Sequence, residues 1–340
     1  FSGKEYTDQV NITSSLIVKS TYIGVAFSSS GFSGFDGILG VSDGSSNFAS
    51  GTLSSATTIP IPTVTDNLYS QRSITNDQIG IYFAPTTLDE LVNGELSWDT
   101  YLRCCSTLFL SRTNCNPVLG GTDSSEITGS IGYAYVPHLS DGIFGLGMLT
   151  IHTTPITSTY PASAYWGIGE SITYGTSTSI LSSIAGIVDT IIRRNYPGLH
   201  LFQRKYKSAT AATLDSTTGL LRITSAQYAK LSSLFFNING VSCELTPEAQ
   251  IWPRSLYAEI GCSSSAIYLI DNDIGTNSGE GLHFINGYTF LERFYTVFNT
   301  ANSRIGLPRR HKLLLLQIRR RRESSRKHTL WQLYPNPMNI

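Results

Sequence analysis

The chain has 340 residues, which is enough for one large domain or for two lobes of about 150 residues each. Charged residues make up only 14% of it, against roughly 25% in an average soluble domain, but hydrophobic residues reach 41%. This hydrophobic content is sufficient for a core and excludes a disordered or collagen-like chain. The sequence has no apolar run of about 18 residues, so we predict no membrane span.

The net charge of zero results from two opposed regions. Residues 308–340 carry nine Lys or Arg residues and one acid, whereas residues 1–307 carry 15 basic and 23 acidic residues. An acidic body rich in Ser and Thr argues against nucleic-acid binding, so we expect no nucleic-acid partner for the main fold. The basic tail leaves open a nucleic-acid contact or a nuclear signal, but a basic run alone is weak support. We predict a disordered extension.

Strand signals dominate the chain. β-branched residues and partial alternation predict strands at residues 11–27, 79–84, 127–135, 234–238, 241–245, 267–270 and 290–298. Short helices are predicted at residues 64–71 and 225–234, the second capped by Thr224 or Ser225. An all-β chain with small helices is typical of sandwiches or barrels rather than of a parallel α/β sheet.

Three internal stretches differ abruptly in composition from their surroundings, namely residues 99–119, 135–152 and 191–203. The tail after residue 307 is a fourth. Such stretches are either translated non-coding sequence or genuine insertions, and the sequence leaves both readings open.

The cysteines and histidines argue against a metal site. The chain has five cysteines, so complete internal pairing is excluded, but Cys243 and Cys262 lie in one β-rich stretch and are candidates for a disulfide in an oxidising compartment. The six histidines form no cluster with metal-ligand spacing. We therefore expect neither a metal nor another cofactor.

An acidic motif gives the most useful chemical signal. Asp189 and Thr190 follow an apolar strand, and apolar-apolar-Gly segments occur at residues 38–40 and, less purely, at 285–287. An Asp held at such a turn can face a second carboxylate, and the pair shares one proton because two like charges about 3 Å apart cannot both ionise. One carboxylate then activates water and the other polarises a peptide carbonyl. Alone, the Asp189-Thr190 pair is weak support for such a site.

The chain resembles the pepsin-like aspartic peptidases, most closely their secreted fungal polyporopepsin-like branch. The matching segments occur in family order and lie at residues 1–8, 30–40, 61–68, 120–130, 164–168, 185–190, 250–253 and 279–298. The resemblance implies an all-β, bilobal fold, with a partial N-terminal lobe at residues 1–152 and a C-terminal lobe at 153–307. It also implies aspartic endopeptidase activity.

The resemblance also implies roles for individual residues. Asp189 matches a catalytic aspartate, and Thr190, Phe35 and Ile38 match substrate-binding positions, the last two in a pocket for an apolar side chain at the cleaved bond. The expected protein is a secreted monomer that acts on peptides or proteins. Asn11 begins the N-glycosylation sequon Asn-Ile-Thr, which agrees with secretion.

Two departures from the family pattern bear on activity. Asp189 precedes Gly287 by 98 residues, and the same step back from Gly40 places the partner aspartate about 58 residues before Phe1. The flap tyrosine is expected to be missing for the same reason, so we expect a fragment. Ile191 replaces the glycine that usually follows Asp-Thr. These features predict that the 340 residues alone are inactive, the alternative being a catalytically dead relative that binds peptides or proteins.

Overall fold

The fold is described from a computed structural model of the chain. The structure describes residues 2–28, 39–40, 62–83, 115–128, 133–135, 159–160, 162–190, 200–254, 257–258, 261–270, 280–307 and 309–310.

The described chain is mostly strand. In chain order the strands are β1 Ser2–Asn11, β2 Ile17–Ser28, β3 Gln78–Phe83, β4 Cys115–Leu119, β5 Ile127–Thr128, β6 Tyr133–Tyr135, β7 Gly167–Tyr174, β8 Thr178–Val188, β9 Thr213–Leu214, β10 Leu221–Ile223, β11 Leu234–Ile238, β12 Val241–Leu245, β13 Ile267–Tyr268, β14 Ile285–Asn286, β15 Thr296–Asn299, β16 Arg304–Gly306 and β17 Arg309–Arg310. The α-helices are α1 Val64–Ser70, α2 His200–Thr210, α3 Ser225–Tyr228 and α4 Tyr288–Leu291. Short 3-10 helices lie at Ser124–Glu126, Ala162–Ala164, Pro247–Gln250 and Thr300–Asn302. The all-β prediction with small helices is confirmed.

Several predicted elements have the expected bounds. β11 and β12 match their predictions residue for residue, and β3 and α1 agree to within one residue. Helix α1 begins at a capping box: Thr63 Oγ1 accepts from the Asp66 backbone N–H, and Asp66 accepts from the Thr63 N–H. Thr224 caps α3 in the same way with Gln227, but that helix ends at Tyr228, earlier than predicted.

Other predictions are wrong in part. The strand expected at residues 11–27 is the second half of a hairpin, in which a turn at residues 12–16 separates β1 from β2. The strand expected at 290–298 starts as helix α4 and becomes β15 only at Thr296. Helix α2 crosses the end of the compositionally unusual stretch 191–203, and β4 lies at the end of 99–119. Arg309 and Arg310 pair with β5, so the basic tail begins as a strand.

One five-stranded sheet forms the framework of the C-terminal half. Its order is β12-β11-β7-β8-β14, antiparallel except for the β8–β14 pair, which is parallel. Asn239 and Gly240 join β11 to β12 with positive φ angles of 46° and 78°. A two-residue Asn-Gly connection with this geometry is the preferred hairpin turn.

A second five-stranded sheet combines distant parts of the sequence. Its order is β4-β3-β15-β16-β6, so strands from residues 78–135 pair with strands from residues 296–306. The expected division of the chain at residue 152 therefore does not separate the strands of this sheet. The main hydrophobic core is continuous across both sheets, since Ile81 and Phe83 belong to the same buried cluster as Phe236 and Leu245.

Helix α2 is attached to this core by a buried amide. Phe202 and Tyr206 of α2 are buried, and the Tyr206 hydroxyl donates to Gln250 Oε1 at 2.6 Å. Gln250 Nε2 in turn donates to the carbonyl oxygens of Ser232 and Leu245, both at 2.9 Å. All three hydrogen bonds lie in or near the core, where an unsatisfied amide would be costly.

Candidate active site

Asp189 follows the last residue of β8 and is half-buried. The end of β8 is held from two sides. On one side the Val188 N–H donates to the Trp166 carbonyl at 3.0 Å, and on the other the Asp189 N–H donates to the Asn286 carbonyl at 3.1 Å. The backbone of Asp189 is therefore fixed where the strand leaves the sheet, which is a suitable position for a reacting carboxylate.

The parallel pairing of β8 with β14 also holds the end of β8 in place. Ile285 pairs with Ile187 and Asn286 with Val188, although almost 100 residues separate them in the sequence. Asn286 belongs to the segment 285–287, which ends in Gly287, and the Gly287 carbonyl accepts the first hydrogen bonds of α4 from the N–H groups of Phe290 and Leu291. The structure thus brings the two motifs together at one sheet edge.

Close packing behind the site requires a glycine. A Cβ atom at Gly186 would collide with the ring and the carbonyl oxygen of Phe284, which is fully buried. The Ile187 N–H donates to the same Phe284 carbonyl at 3.1 Å. Gly186 therefore lets the segment before β14 approach β8 closely enough to form the parallel pair.

A buried polar pair behind Asp189 was not predicted from the sequence. Glu170 on β7 is 1% exposed and Asn286 on β14 is fully buried, and Asn286 Nδ2 donates to Glu170 Oε2 at 2.8 Å. These residues are 116 positions apart in the sequence. The only sequence signal was the acid itself, a single charged residue within the otherwise uncharged strand Gly-Ile-Gly-Glu-Ser-Ile-Thr-Tyr.

Of the other predicted site residues, the structure describes some and not others. Thr190 is half-buried beside Asp189. Phe35, Ile38 and Ile191 lie outside the described residues, so the predicted apolar pocket stays a prediction. Within the ranges that the structure describes, no group of His, Cys, Asp and Glu side chains has an arrangement that could hold a metal ion.

The predicted disulfide and glycosylation sites are both described. Cys243 is buried on β12 within the main core, and the half-buried Cys262 packs against the same core. Their pairing stays a prediction. Asn11 is exposed at the end of β1, where the Thr13 hydroxyl of the same sequon accepts the Leu16 N–H at 2.9 Å to shape the hairpin turn.

Comparisons with known proteins agree with this geometry. A family model described as eukaryotic aspartyl protease matches residues 106–309. Polyporopepsin from Irpex lacteus is 51% identical over 307 residues, which is 90% of this chain and 77% of that protein. The chain belongs to the eukaryotic aspartyl protease family. As a member of this hydrolase family, it is also similar to pepsin A from Sus scrofa, with 27% identity over 80% of this chain and 54% of that one.

A solved structure supports the fold of this aspartyl protease. The crystal structure of the aspartic proteinase from Irpex lacteus matches with a TM-score of 0.72 and 49% identity, covering 90% of this chain and 77% of that one. The pepsin-like, bilobal fold expected from the resemblance is confirmed. In the described part of the chain, no helix has both the length and the apolar character needed to cross a membrane.

Proposed function

We propose that this protein is an aspartic endopeptidase in which Asp189 supplies one of two catalytic carboxyl groups. One observation carries the proposal: the Asp189 N–H is bonded to the Asn286 carbonyl at the edge of the parallel β8–β14 pair. This bond fixes the acid at the point where the strand ends. Membership of the aspartyl protease family supports the same role.

The proposed chemistry needs a second carboxylate facing Asp189. The two groups share one proton, so that one acts as a base toward water while the other donates a hydrogen bond to the peptide carbonyl. Hydrolysis then proceeds without a metal or another cofactor. Because one proton must stay on the pair, cleavage is expected to be fastest in acid.

The decisive test replaces Asp189 by Asn in a form of the protein that contains the partner aspartate. Asp189→Asn should abolish cleavage of a denatured protein substrate at acid pH, because an amide cannot exchange the proton that the pair shares. Glu248→Gln, an exposed substitution outside the site, serves as the control and should keep full activity. Full activity of Asp189→Asn would refute the proposed role.

We further propose that the 340 residues alone do not cleave peptides; the alternative is a catalytically dead relative that binds peptides or proteins. The sequence of these 340 residues contains one Asp-Thr pair after an apolar strand, and Ile191 follows it. A β-branched residue cannot copy the backbone approach of a glycine at that position. Recombinant 1–340 should therefore fail to cleave a denatured protein at any pH. Acid cleavage inhibited by a statine-type transition-state analogue would overturn this and would point to another acid, such as Asp36 or Asp271.

The substrate preference follows from the proposed pocket. Phe35 and Ile38 are proposed to receive an apolar side chain at the cleaved bond, with Thr190 contacting the substrate beside Asp189. In an active form, Phe35→Ala should lower kcat/KM for peptides with bulky apolar residues at that bond. An unchanged specificity profile would place both residues in the core only.

We also propose that the protein is secreted as a monomer. Its low charge, exposed Asn11 and candidate Cys243–Cys262 pair support this location. Secreted full-length protein should lose mass on enzymatic deglycosylation, and Asn11→Gln should remove that loss. Alkylation without reduction should label two cysteines fewer than alkylation after reduction. Protein found only in the cytosol, with Asn11 unmodified, would contradict secretion.

A further inference from the structure

The tripeptide Ile-Asn-Gly occurs twice in the chain, and the two copies have different structural settings. One copy is Ile238-Asn239-Gly240 and the other is Ile285-Asn286-Gly287. An Asn-Gly pair is chemically labile, because glycine has no side chain to shield its backbone nitrogen from the asparagine side chain before it. Since the two copies have the same local sequence, a difference in their reactivity must come from the fold.

The first copy forms the tip of the β11–β12 hairpin. Asn239 and Gly240 lie between the strands with φ angles of 46° and 78°, and Ile238 pairs with Val241 across the turn. Asn239 is half-buried and Gly240 is exposed. Apart from its chain neighbours, no described residue has a heavy atom within 4 Å of the point that a Cβ atom would occupy at Gly240. The turn therefore has space to change its backbone conformation.

The second copy is enclosed in the sheet behind Asp189. Asn286 is fully buried, its backbone pairs with Val188, and its carbonyl accepts the Asp189 N–H. Its side-chain Nδ2 donates to Glu170 at 2.8 Å. The Gly287 carbonyl accepts the first hydrogen bonds of α4. A rotation of this backbone would have to break several of these contacts together.

The reaction of an Asn-Gly pair needs such a rotation, because the glycine nitrogen must reach the side-chain carbonyl carbon of the asparagine. The nitrogen loses its proton and bonds to Cγ, and ammonia leaves, which closes a succinimide ring. Water then adds to one of the two ring carbonyl groups and opens the ring. The products are aspartate and isoaspartate, and in isoaspartate the main chain runs through Cβ. Local opening costs least at exposed turns and most in buried sheets, so the first copy should react faster.

We propose that Asn239 is a site of spontaneous deamidation and isoaspartate formation in the folded protein, whereas Asn286 is protected by its place in the sheet. The charged groups of the adjoining strands are Glu244 of β12 and Glu170 of β7, and neither is part of the turn. The pH dependence therefore comes from the reaction itself, in which the glycine nitrogen must lose its proton. The reaction is slow in acid and faster at neutral and higher pH. This inference does not depend on the proposed peptidase function.

Isoaspartate at position 239 should weaken the hairpin. The additional main-chain methylene group lengthens a two-residue connection across which Ile238 and Val241 now pair directly. In the described sheet, β12 is the terminal strand and is hydrogen-bonded to β11. It contributes the buried side chains of Cys243 and Leu245 to the core. We therefore expect the isoaspartate form to unfold at a lower urea concentration than the unmodified protein.

Peptide mass spectrometry tests the proposal on the 340-residue chain. Folded protein is kept at pH 8 and digested in acid, and asparagine, aspartate and isoaspartate are quantified at positions 239 and 286. We expect Asn239 to be lost at least about tenfold faster than Asn286, because opening of a turn costs less than opening of the sheet. In urea at the same pH the two should react at similar rates. Asn237, which lies in the same hairpin and precedes Ile238, is an internal control and should stay unmodified.

Two variants connect the modification to stability. Asn239→Gln keeps an amide but closes the ring much more slowly, so its urea midpoint should not change during the incubation that lowers the wild-type midpoint. Freshly prepared Asn239→Asp introduces the charge without the main-chain change and should unfold like the fresh wild type. An equal fall of the Asn239→Gln midpoint would contradict the stated effect on the hairpin. Equal loss at positions 239 and 286 in the folded chain, or survival of Asn239 there while it reacts in urea, would overturn the proposal.

Discussion

Gly80 on β3 lies directly against the phenol ring of Tyr295, so that a Cβ atom at position 80 would collide with the Tyr295 hydroxyl group. The same hydroxyl oxygen accepts the Asp123 backbone N–H at 3.0 Å, and the ring stacks on Tyr82 with centroids 5.8 Å apart. Tyr295, from the C-terminal part of the chain, thus packs against β3 in the sheet that combines both halves of the chain.

Replacing Gly80 by Ala should therefore destabilise the protein. The added methyl group forces Tyr295 from its position, and overpacking of this kind costs about 1–3 kcal/mol. Urea denaturation measures the free energy of unfolding. Gly169→Ala in β7 is the control, because its Cβ would lie 3.8 Å from the Ile184 carbonyl oxygen, an ordinary van der Waals distance. Equal midpoints for the two variants would refute the collision.

The pair of Asp66 and Asp77 should make the protein less stable as the pH rises toward neutral. The pKa of Asp77 is raised from 3.8 to about 7, first by burial, and then by the charge of Asp66 and a hydrogen bond to it. Between about pH 4 and 7 the unfolded chain releases this proton while the folded chain retains it. The folded state binds more protons there, so stability falls with increasing pH.

Urea midpoints at pH 4, 5, 6 and 7 check this dependence. Asp77→Asn cannot ionise and should flatten the decline across that window, whereas the exposed Glu248→Gln should reproduce the wild-type slope. An Asp77→Asn profile parallel to the wild type would show that other groups cause the decline.

The hydrogen bond between Tyr268 and Asp215 should stabilise the protein more at neutral pH than in acid. This pH dependence is opposite to that expected for Asp77. The Tyr268 hydroxyl donates to Asp215 Oδ2 at 2.7 Å, and the Thr217 N–H donates to Oδ1 at 2.9 Å. These hydrogen bonds lower the pKa of Asp215 below its ordinary 3.8, and the bond from Tyr268 has the largest effect. The stabilisation is thus present above about pH 4 and is lost as the pH falls through the lowered pKa.

Tyr268→Phe should accordingly lower the Tm at pH 7, and the difference from the wild type should shrink in strong acid. Tyr257→Phe is the matched control, since the Tyr257 hydroxyl accepts the Tyr268 backbone N–H at 3.1 Å and involves no carboxylate. A Tyr268→Phe deficit of constant size from pH 7 to pH 2 would rule out the charged hydrogen bond.

Gln250 should be among the costliest polar positions to truncate. Gln250→Ala removes three hydrogen bonds, to Tyr206 of α2, to the Ser232 carbonyl before β11 and to the Leu245 carbonyl of β12, and we expect the free energy of unfolding to fall by about 2–5 kcal/mol. Tyr206→Phe removes only one of them and should cost about 1 kcal/mol. Denaturant titration of both variants gives the comparison. A Gln250→Ala loss no larger than that of Tyr206→Phe would show that water replaces the missing bonds.

Local patterns predicted the parts of the fold whose partners are near in sequence. Strands β11 and β12 were predicted to the residue, because each is a short local pattern of apolar and β-branched residues. The position of Asp189 at a strand end was predictable for a similar reason, since the apolar run stops there. The resemblance to a known family then supplied the role of the motif.

Non-local relationships were not predictable from these patterns. The aromatic run at residues 290–298 has the composition of a strand, but Gly287 starts a helix there and strand pairing begins only at Thr296. The contact of Glu170 with Asn286 depends on the sheet order, which brings together residues 116 positions apart. No local periodicity encodes such a pair.

The mixed sheet has a consequence for biosynthesis. Ile81 of β3 pairs with Thr296 of β15, which the ribosome adds 215 residues later. At a synthesis rate of about 5–20 residues per second, β15 is made on the order of 10–40 seconds after β3. During that interval Ile79 and Ile81, both buried in the finished sheet, are exposed along an open strand edge. We therefore expect nascent chains to aggregate through β3 first when chaperone capacity is limiting.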